Sequence, residues 1–386
     1  MRPDRLTASG GPDQLVANSR RETVVVGLGI VGAACAWTLA RRGHRVLALE
    51  AGEGGAETSC RAMGHIGIYD DSDPQLALSV FARRTWDEAA RALPPEAAYV
   101  RRGSLWVAHT ASELETGARR LDRLRSRGIE AELLDAAELY RHEPNLAEGL
   151  SGAVRVPGDA VIDTAPTTRY LAEEAQRSGA ELRRGARVVR LNGAGVELAS
   201  GERIDAEDVV LAAGWRSPEL LPGLPVRPRK GHILLTAPRP GWVHHNVGEI
   251  GYMAETRPTQ GDSISLVVQP RPDGRFLLGA TRQYAGPSTD VDPTVAAELH
   301  RRIVAFVPGF SDLPIERSWA GLRPAGPDSV PIIGRWPKEP HLVLATGHEG
   351  IGITTSLATG RLVAELIEGA PPSIPLDPFS PARLFR

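Results

Sequence analysis

Val24-Val25-Val26-Gly27-Leu28-Gly29-Ile30-Val31-Gly32, continuing as Ala33-Ala34-Cys35-Ala36-Trp37-Thr38-Leu39-Ala40-Arg41-Arg42-Gly43, decides the fold. The three valines form a short β-branched run suited to a strand buried on both faces of a parallel sheet. The G-x-G-x-x-G spacing follows at once. Gly27 permits the tight turn, Gly29 admits a pyrophosphate, and Gly32 lets helix and strand pack closely. Ala33–Arg42 then reads as a helix with basic residues in its last turn and Gly43 as its stop. Its free N-terminal amides face the phosphates. Arg45–Glu50 is a second strand whose terminal carboxylate stands 18 positions past Gly32, where such folds place the acid that binds a free ribose diol. Strand, glycines, helix, strand and acid in register predict dinucleotide binding. The motif itself leaves FAD and NAD both open.

Around this unit, 386 residues exceed one ordinary domain of roughly 100–200 and suit two interleaved ones. With 45 basic and 47 acidic residues the formal charge is −2, which gives no field favouring nucleic acid or an anionic membrane. Hydrophobic residues at 42% and charged residues at 24% exclude disorder or a coiled coil as the main state and predict a soluble, folded chain. Cys35 and Cys60 cannot build a disulfide framework, and no Cys/His spacing matches a zinc or iron–sulfur site, so a cytoplasmic location is expected and no metal. Residues 1–20 lack the apolar core of a signal peptide and read as a disordered tail. Thr23–Ala40 is too interrupted by glycine to span a membrane. Lysine occurs only at 230 and 338, neither behind a phosphate loop, which argues against a Walker-type hydrolase. Lys230 is read as a solvated or structural charge rather than a pyridoxal-phosphate anchor.

Five further segments carry a likeness: Glu57-Thr58-Ser59-Cys60-Arg61-Ala62-Met63-Gly64-His65-Ile66-Gly67, Asp208–Gly214, Ser318-Trp319-Ala320-Gly321-Leu322-Arg323-Pro324, Pro331–Gly334 and Gly347-His348-Glu349-Gly350-Ile351-Gly352. With them the chain resembles FAD-dependent amine oxidoreductases of the D-amino-acid oxidase and glycine oxidase superfamily, from about Glu22 to Gly369. Met63–Ile66 through Asp71, Val268–Pro272 and Gly347–Gly350 look most like D-hydroxyproline dehydrogenases. The resemblance implies an α/β fold: a discontinuous Rossmann-like FAD-binding domain with an inserted α+β substrate domain built on an antiparallel sheet. The expected division is a tail at 1–20, an FAD-binding domain from 21–84, 151–222 and 320–370, a substrate domain from 85–150 and 223–319, and a C-terminal tail at 371–386 that wraps the surface. Helical patterns dominate 75–148, with Leu76, Val80, Phe81 and Trp86 on one buried face. Gly231–Thr236, Ser263–Gln269 and Phe276–Ala280 read as strands roofing the substrate pocket. Arg187–Leu191 and Asp208–Gly214 are read as strands of the flavin domain.

The resemblance also implies site residues. FAD is expected to meet Gly27, Gly29, Ile30, Val31, Gly32, Glu50, Ala51, Thr58, Ser59, Met63, Gly64, His65, Val188, Ala213 and Gly214. The turn of Gly347, His348, Gly350, Ile351 and Gly352 completes that set. Arg323 stands where the family places the guanidinium that grips the substrate carboxylate. His65 either borders the reacting atoms or is a hydrogen-bonded loop histidine. Tyr252 either lies near the carboxylate or is an ordinary sheet tyrosine. His348 either caps its turn or acts in the redox step. Glu349 and Glu255 rank behind these, and Cys60 does not occupy the position of a covalent flavin link, so dissociable FAD is expected. The implied chemistry is hydride transfer from the Cα–H of a small amino or imino acid to flavin N5, with no strong general base. A cyclic D-imino acid such as cis-4-hydroxy-D-proline gives a pyrroline carboxylate; a primary amine gives an imine that hydrolyses. A sarcosine- or glycine-type oxidase releasing hydrogen peroxide and a noncatalytic flavin subunit of a larger complex are the alternatives. The acceptor, oxygen or a carrier, and any homo- or hetero-oligomer stay open.

Overall fold

The computed structural model describes residues 22–385 except 53, 55–56, 70, 194 and 251–260. The expectation for the N-terminal tail, like those for Tyr252 and Glu255, lies outside the described residues. In chain order the first part comprises β1 (Glu22–Val26), α1 (Ile30–Arg41), β2 (Arg45–Leu49), β3 (His65–Ile66) and α2 (Asp73–Ala89). Then come β4 (Val100–Arg101), β5 (Ser104–Ala108), α3 (Ala111–Arg125), β6 (Glu132–Asp135), α4 (Ala136–His142), β7 (Gly152–Val156), β8 (Ala160–Val161) and α5 (Thr164–Arg177). The middle holds β9 (Glu181–Arg183), β10 (Val188–Leu191), β11 (Gly195–Leu198), β12 (Arg203–Asp205), β13 (Asp208–Leu211) and α6 (Ser217–Leu220). After these run β14 (Arg227–Thr236), β15 (Asn246–Glu249), β16 (Ser263–Pro270), β17 (Phe276–Arg282) and α7 (Pro293–Phe306). The chain closes with β18 (Ile315–Ala325), β19 (Ile332–Trp336), β20 (Glu339–Thr346) and α8 (Gly352–Glu368).

β1 lies inside a six-stranded sheet of order β19-β20-β13-β1-β2-β9. It runs parallel to β2, with Val24 opposite Leu47, and parallel to β13, with Val24 opposite Val209. The valine run is divided between two cores, as a strand covered on both faces requires. Val25 packs with α1, α2, α5 and α8, whereas Val24 and Val26 pack with Leu211, Leu344, Val196 and Leu198 on the other face. Trp86 of α2 is fully buried and donates Nε1–H to the Thr354 carbonyl of α8 at 2.7 Å, so its polar edge is satisfied inside the apolar layer.

The second layer is an eight-stranded sheet of order β18-β14-β17-β16-β15-β5-β7-β6, antiparallel throughout except at β15–β5. Its long β14–β18 ladder places Arg229 opposite Arg323 and Gly231 opposite Gly321. Leu299, Ile303 and Phe306 of α7 fill one face against Leu234, Val268 and Leu278. The two sheets together form the expected α/β architecture, a Rossmann-like parallel layer and an antiparallel roof.

Several local expectations change. The stretch 75–148 contains α2, α3 and α4 but also β4, β5 and β6; Ser104–Ala108 is buried at every position, and a short continuous apolar run carries no period that separates strand from helix. β7 begins just past residue 151, yet pairs with β5 and β6 in the roof sheet. Val188–Leu191 is a strand, as expected, and forms the edge of a separate three-stranded antiparallel sheet with β11 and β12. The C-terminal segment does more than cover the surface. Phe379 is buried in the core around α1 and α8, and Arg383 reaches Asp328. Lys230 is buried and donates to the Asp290 carbonyl at 3.1 Å, which is the structural reading rather than the solvated one. Among the described residues no helix is long and apolar enough to cross a membrane.

Candidate active site

The cleft begins at the glycine turn. Gly27 has φ +99, and a Cβ added there would stand 2.7 Å from the Ala212 carbonyl oxygen. At Gly32 an added Cβ would lie 1.9 Å from the Gly27 carbonyl oxygen, so the third glycine seats α1 directly on the turn. The first residue of α1, Ile30, donates its N–H to Ser59 Oγ at 2.9 Å; no side chain at Gly29 caps the helix, and its end faces the cleft. At the end of β2, Glu50 Oε2 accepts from Leu28 N at 2.8 Å and Oε1 from Gly52 N at 2.9 Å. Those two bonds fix the carboxylate against the turn.

A cavity of about 410 Å³ opens from this cradle, within the size range of cofactor sites. Gly27, Gly29, Ile30, Val31, Glu50, Ala51, Thr58, Ser59, Val188, Ala213 and Gly214 line it, and so do Arg323, His348, Gly350 and Gly352. Gly32, Met63, Gly64, His65, Gly347 and Ile351 are not in its wall. Gly32 lies beneath the turn, and Gly347 packs against the Ile332 side chain. Met63 and Gly64 act through backbone bonds: the Met63 carbonyl accepts from Gln269 Nε2 at 2.7 Å, and the Gly64 carbonyl accepts from Ile162 N at 2.9 Å.

His65 sits on β3, where its carbonyl accepts from Thr354 Oγ1 at 2.8 Å. Burial pushes its imidazole down to about 4, against a smaller upward pull from Asn246, so the ring is neutral near pH 7. His348 is buried with Nε2 3.0 Å from Thr359 Oγ1, and burial lowers it to about 3. That bond ties the turn to α8, the arrangement of a cap.

Arg323 enters the cavity from β18. Its Nη1 donates to the Thr281 carbonyl at 2.8 Å, and the Gly231 backbone lies immediately beneath the guanidinium. Gly350 lies alongside, since a Cβ there would be 3.8 Å from Arg323 Nε. The arrangement sets a fixed cation next to the 347–352 turn, suited to a carboxylate.

The sequence reading missed one wall. Trp215 and Arg216 follow Gly214 and both line the cavity; each bonds Glu57 at 3.2 Å, and the Arg216 guanidinium lies 4.1 Å from the Trp215 ring centre. A tryptophan directly behind the closing glycine of β13's turn was the available signal.

Glycine turn, helix end and ribose-type acid together define a dinucleotide-binding protein, and the start of α1, open to the cleft beside the close-packed glycines, fits a two-phosphate ligand. The family model described as FAD dependent oxidoreductase matches residues 22–366, and the chain belongs to that family. The chain is 32% identical over 372 residues to a glycine oxidase of Bacillus licheniformis, covering 91% of this chain and 94% of that protein. The crystal structure of glycine oxidase from Geobacillus kaustophilus superposes with a TM-score of 0.84 at 28% identity, over 93% of this chain and 98% of that one. Iminodiacetate oxidase from Chelativorans sp. BNC1 gives a TM-score of 0.81 at 26% identity, with coverage of 93% and 98%. FAD is thus the cofactor, and the ambiguity with NAD is removed.

Proposed function

We propose that this protein oxidises the Cα–N bond of a small amino or imino acid, with a D-imino acid of the D-hydroxyproline kind as the leading substrate. The observation that carries this reading is that Arg323 lines the same cavity as Gly27, Gly29 and Glu50. A carboxylate-binding cation and a dinucleotide cradle therefore share one cleft.

Gly27, Gly29 and the amides at the start of α1 would hold the cofactor's phosphates, and Glu50 its ribose; Val188, Ala213 and Gly350 would border the remainder. Bound there, FAD supplies a two-electron acceptor. The chain's own work is binding and orientation. Arg323 takes the substrate carboxylate through paired, charge-assisted hydrogen bonds, and the Thr281 carbonyl and Gly231 fix where those bonds point. His348, which lines the cavity, is neutral near pH 7. Selection of the neutral amine and alignment of its Cα–H supply the entropic part of the catalysis. A primary amine substrate gives an imine that hydrolyses to an oxo acid, and a cyclic one gives a pyrroline carboxylate.

A glycine- or sarcosine-type oxidase is a second reading, supported by the glycine oxidase relative at 32% identity. Purified FAD-loaded protein is mixed without oxygen with D-amino acids, hydroxy-D-proline isomers, sarcosine and glycine, and the visible flavin band is followed. Stereospecific bleaching by cis-4-hydroxy-D-proline is expected. Bleaching by sarcosine or glycine alone, with peroxide on readmitting air, replaces it by the second reading. Retained FAD that no member of the panel reduces points to a noncatalytic flavin subunit instead.

A further inference from the structure

Glu349 lines the cleft beside Arg323, apart from the groups that would hold the cofactor and the substrate carboxylate. Its position is firmly built. The residue has φ +46, its N–H donates to the Pro324 carbonyl at 2.9 Å, and the adjacent His348 bridges to Ala325. These bonds fasten the turn after β20 to β18, the strand that carries Arg323. The Glu349 side chain is 9% exposed, and Oε1 stands 3.7 Å from Arg229 Nη1 and 3.5 Å from Arg282 Nε. Those arginines come from β14 and β17 and are 2% and 5% exposed. One carboxylate from the nucleotide-binding side thus meets two guanidiniums from the roof. Burial on its own would raise the Glu349 carboxyl, but Arg282, Arg323 and Arg229 outweigh burial and hold it below the ordinary carboxylate range. The group is ionised.

We infer that Glu349 is a specificity-determining residue, whose charge cancels one of the two positive charges of Arg229 and Arg282 and so weakens the hold of the cleft on amino or imino acids with two carboxylates relative to those with one. The inference rests on the amine-oxidation reading, since it takes Arg323 as the anchor of the first carboxylate. A second carboxylate brought to this wall meets the negative charge of Glu349 where little water screens it. With that charge removed and its shape kept, the field that Arg229 and Arg282 send through this wall becomes more positive by one charge, and the second carboxylate is held more tightly. A residue that merely braced the turn would behave differently, because its loss would weaken every ligand alike.

The test uses FAD-loaded Glu349→Gln, titrated with propanoate and with succinate while the visible flavin band is followed. In Glu349→Gln succinate tightens on the order of tenfold, as the loss of one weakly screened like charge predicts, and propanoate changes by less than about threefold. Equal weakening of both ligands, or an unchanged ratio between them, overturns the inference. Arg282→Gln shifts the charge the opposite way and serves if the first variant does not fold: the ratio must move further against succinate, and an unchanged ratio is again fatal. Arg323→Leu separates the two levels of argument. If it loses neither ligand, the carboxylate anchor falls and the oxidation reading with it. If it loses both while Glu349→Gln leaves the ratio unchanged, only the role of Glu349 is overturned.

Discussion

Gly231→Ala tests whether the position of Arg323 matters without touching Arg323 itself. A Cβ at residue 231 would stand 2.3 Å from Nη1, 2.5 Å from Nη2 and 2.6 Å from Cζ of that arginine. Carbon and nitrogen atoms meet comfortably only near about 3.5–4 Å, so each contact is too short by about an ångström or more. The guanidinium ends a flexible side chain and yields before the β14–β18 ladder does, so the fold survives while the cation moves. Displacement gives up the 2.8 Å bond from Nη1 to the Thr281 carbonyl and misaims the pair offered to the substrate. A hydrogen bond to a charged group contributes about 1.5–3 kcal/mol, which corresponds to a rise in KM of roughly 10- to 150-fold. Steady-state kinetics on the best substrate read the effect, and the visible spectrum checks that flavin content is kept. Unchanged KM in a flavin-replete variant would refute the reasoning, because the clash would then have been absorbed without moving the cation.

Other outcomes follow from the same geometry. Gly32→Ala places a Cβ 1.9 Å from the Gly27 carbonyl oxygen, where backbone must yield; the variant should purify largely without flavin, as its visible absorbance will record. Glu50→Gln converts an oxygen that accepts from Leu28 N or Gly52 N into an amide donor and weakens the ribose site, so FAD affinity by fluorescence titration should fall on the order of tenfold or more. His348 and His65 are lowered to about 3 and about 4, below their unfolded value near 6.5. Their contribution to stability is therefore complete above about pH 6.5 and declines as pH falls toward those values, by up to about 1.4 kcal/mol per pH unit for each group. Thermal unfolding from pH 8 to pH 5 should show a falling midpoint, and His348→Gln should flatten the slope; a midpoint independent of pH contradicts the burial argument.

The nucleotide-binding strand, turn and helix could be read from sequence because their constraint is local steric contact among neighbouring residues. Gly27 and Gly32 meet each other, and the spacing in the chain already contains that contact. The roof was legible in β14, β16 and β17, whose apolar runs are set off by proline and glycine. β5 was not, since five buried residues in a row carry neither the alternation of a half-exposed strand nor a helical stripe. The edge position of Val188–Leu191 depends on pairing with β11, which no feature of the run announces. In the site, motif position indicated Arg323 but could not say that Met63 and Gly64 serve by backbone bonds outside the cavity wall. The grouping of Glu349 with Arg229 and Arg282 joins three separate strands and turns. It emerges only from the register of β14, β17 and β18.

The most direct measurement is a single anaerobic mixing of FAD-loaded wild-type protein and Arg323→Leu with the same concentration of cis-4-hydroxy-D-proline, following the visible flavin band. The account predicts that the wild-type band disappears while the variant, equally rich in flavin, keeps it. Persistence of the wild-type band with this substrate and with every other amino or imino acid offered, or equal bleaching of the two proteins, would contradict it.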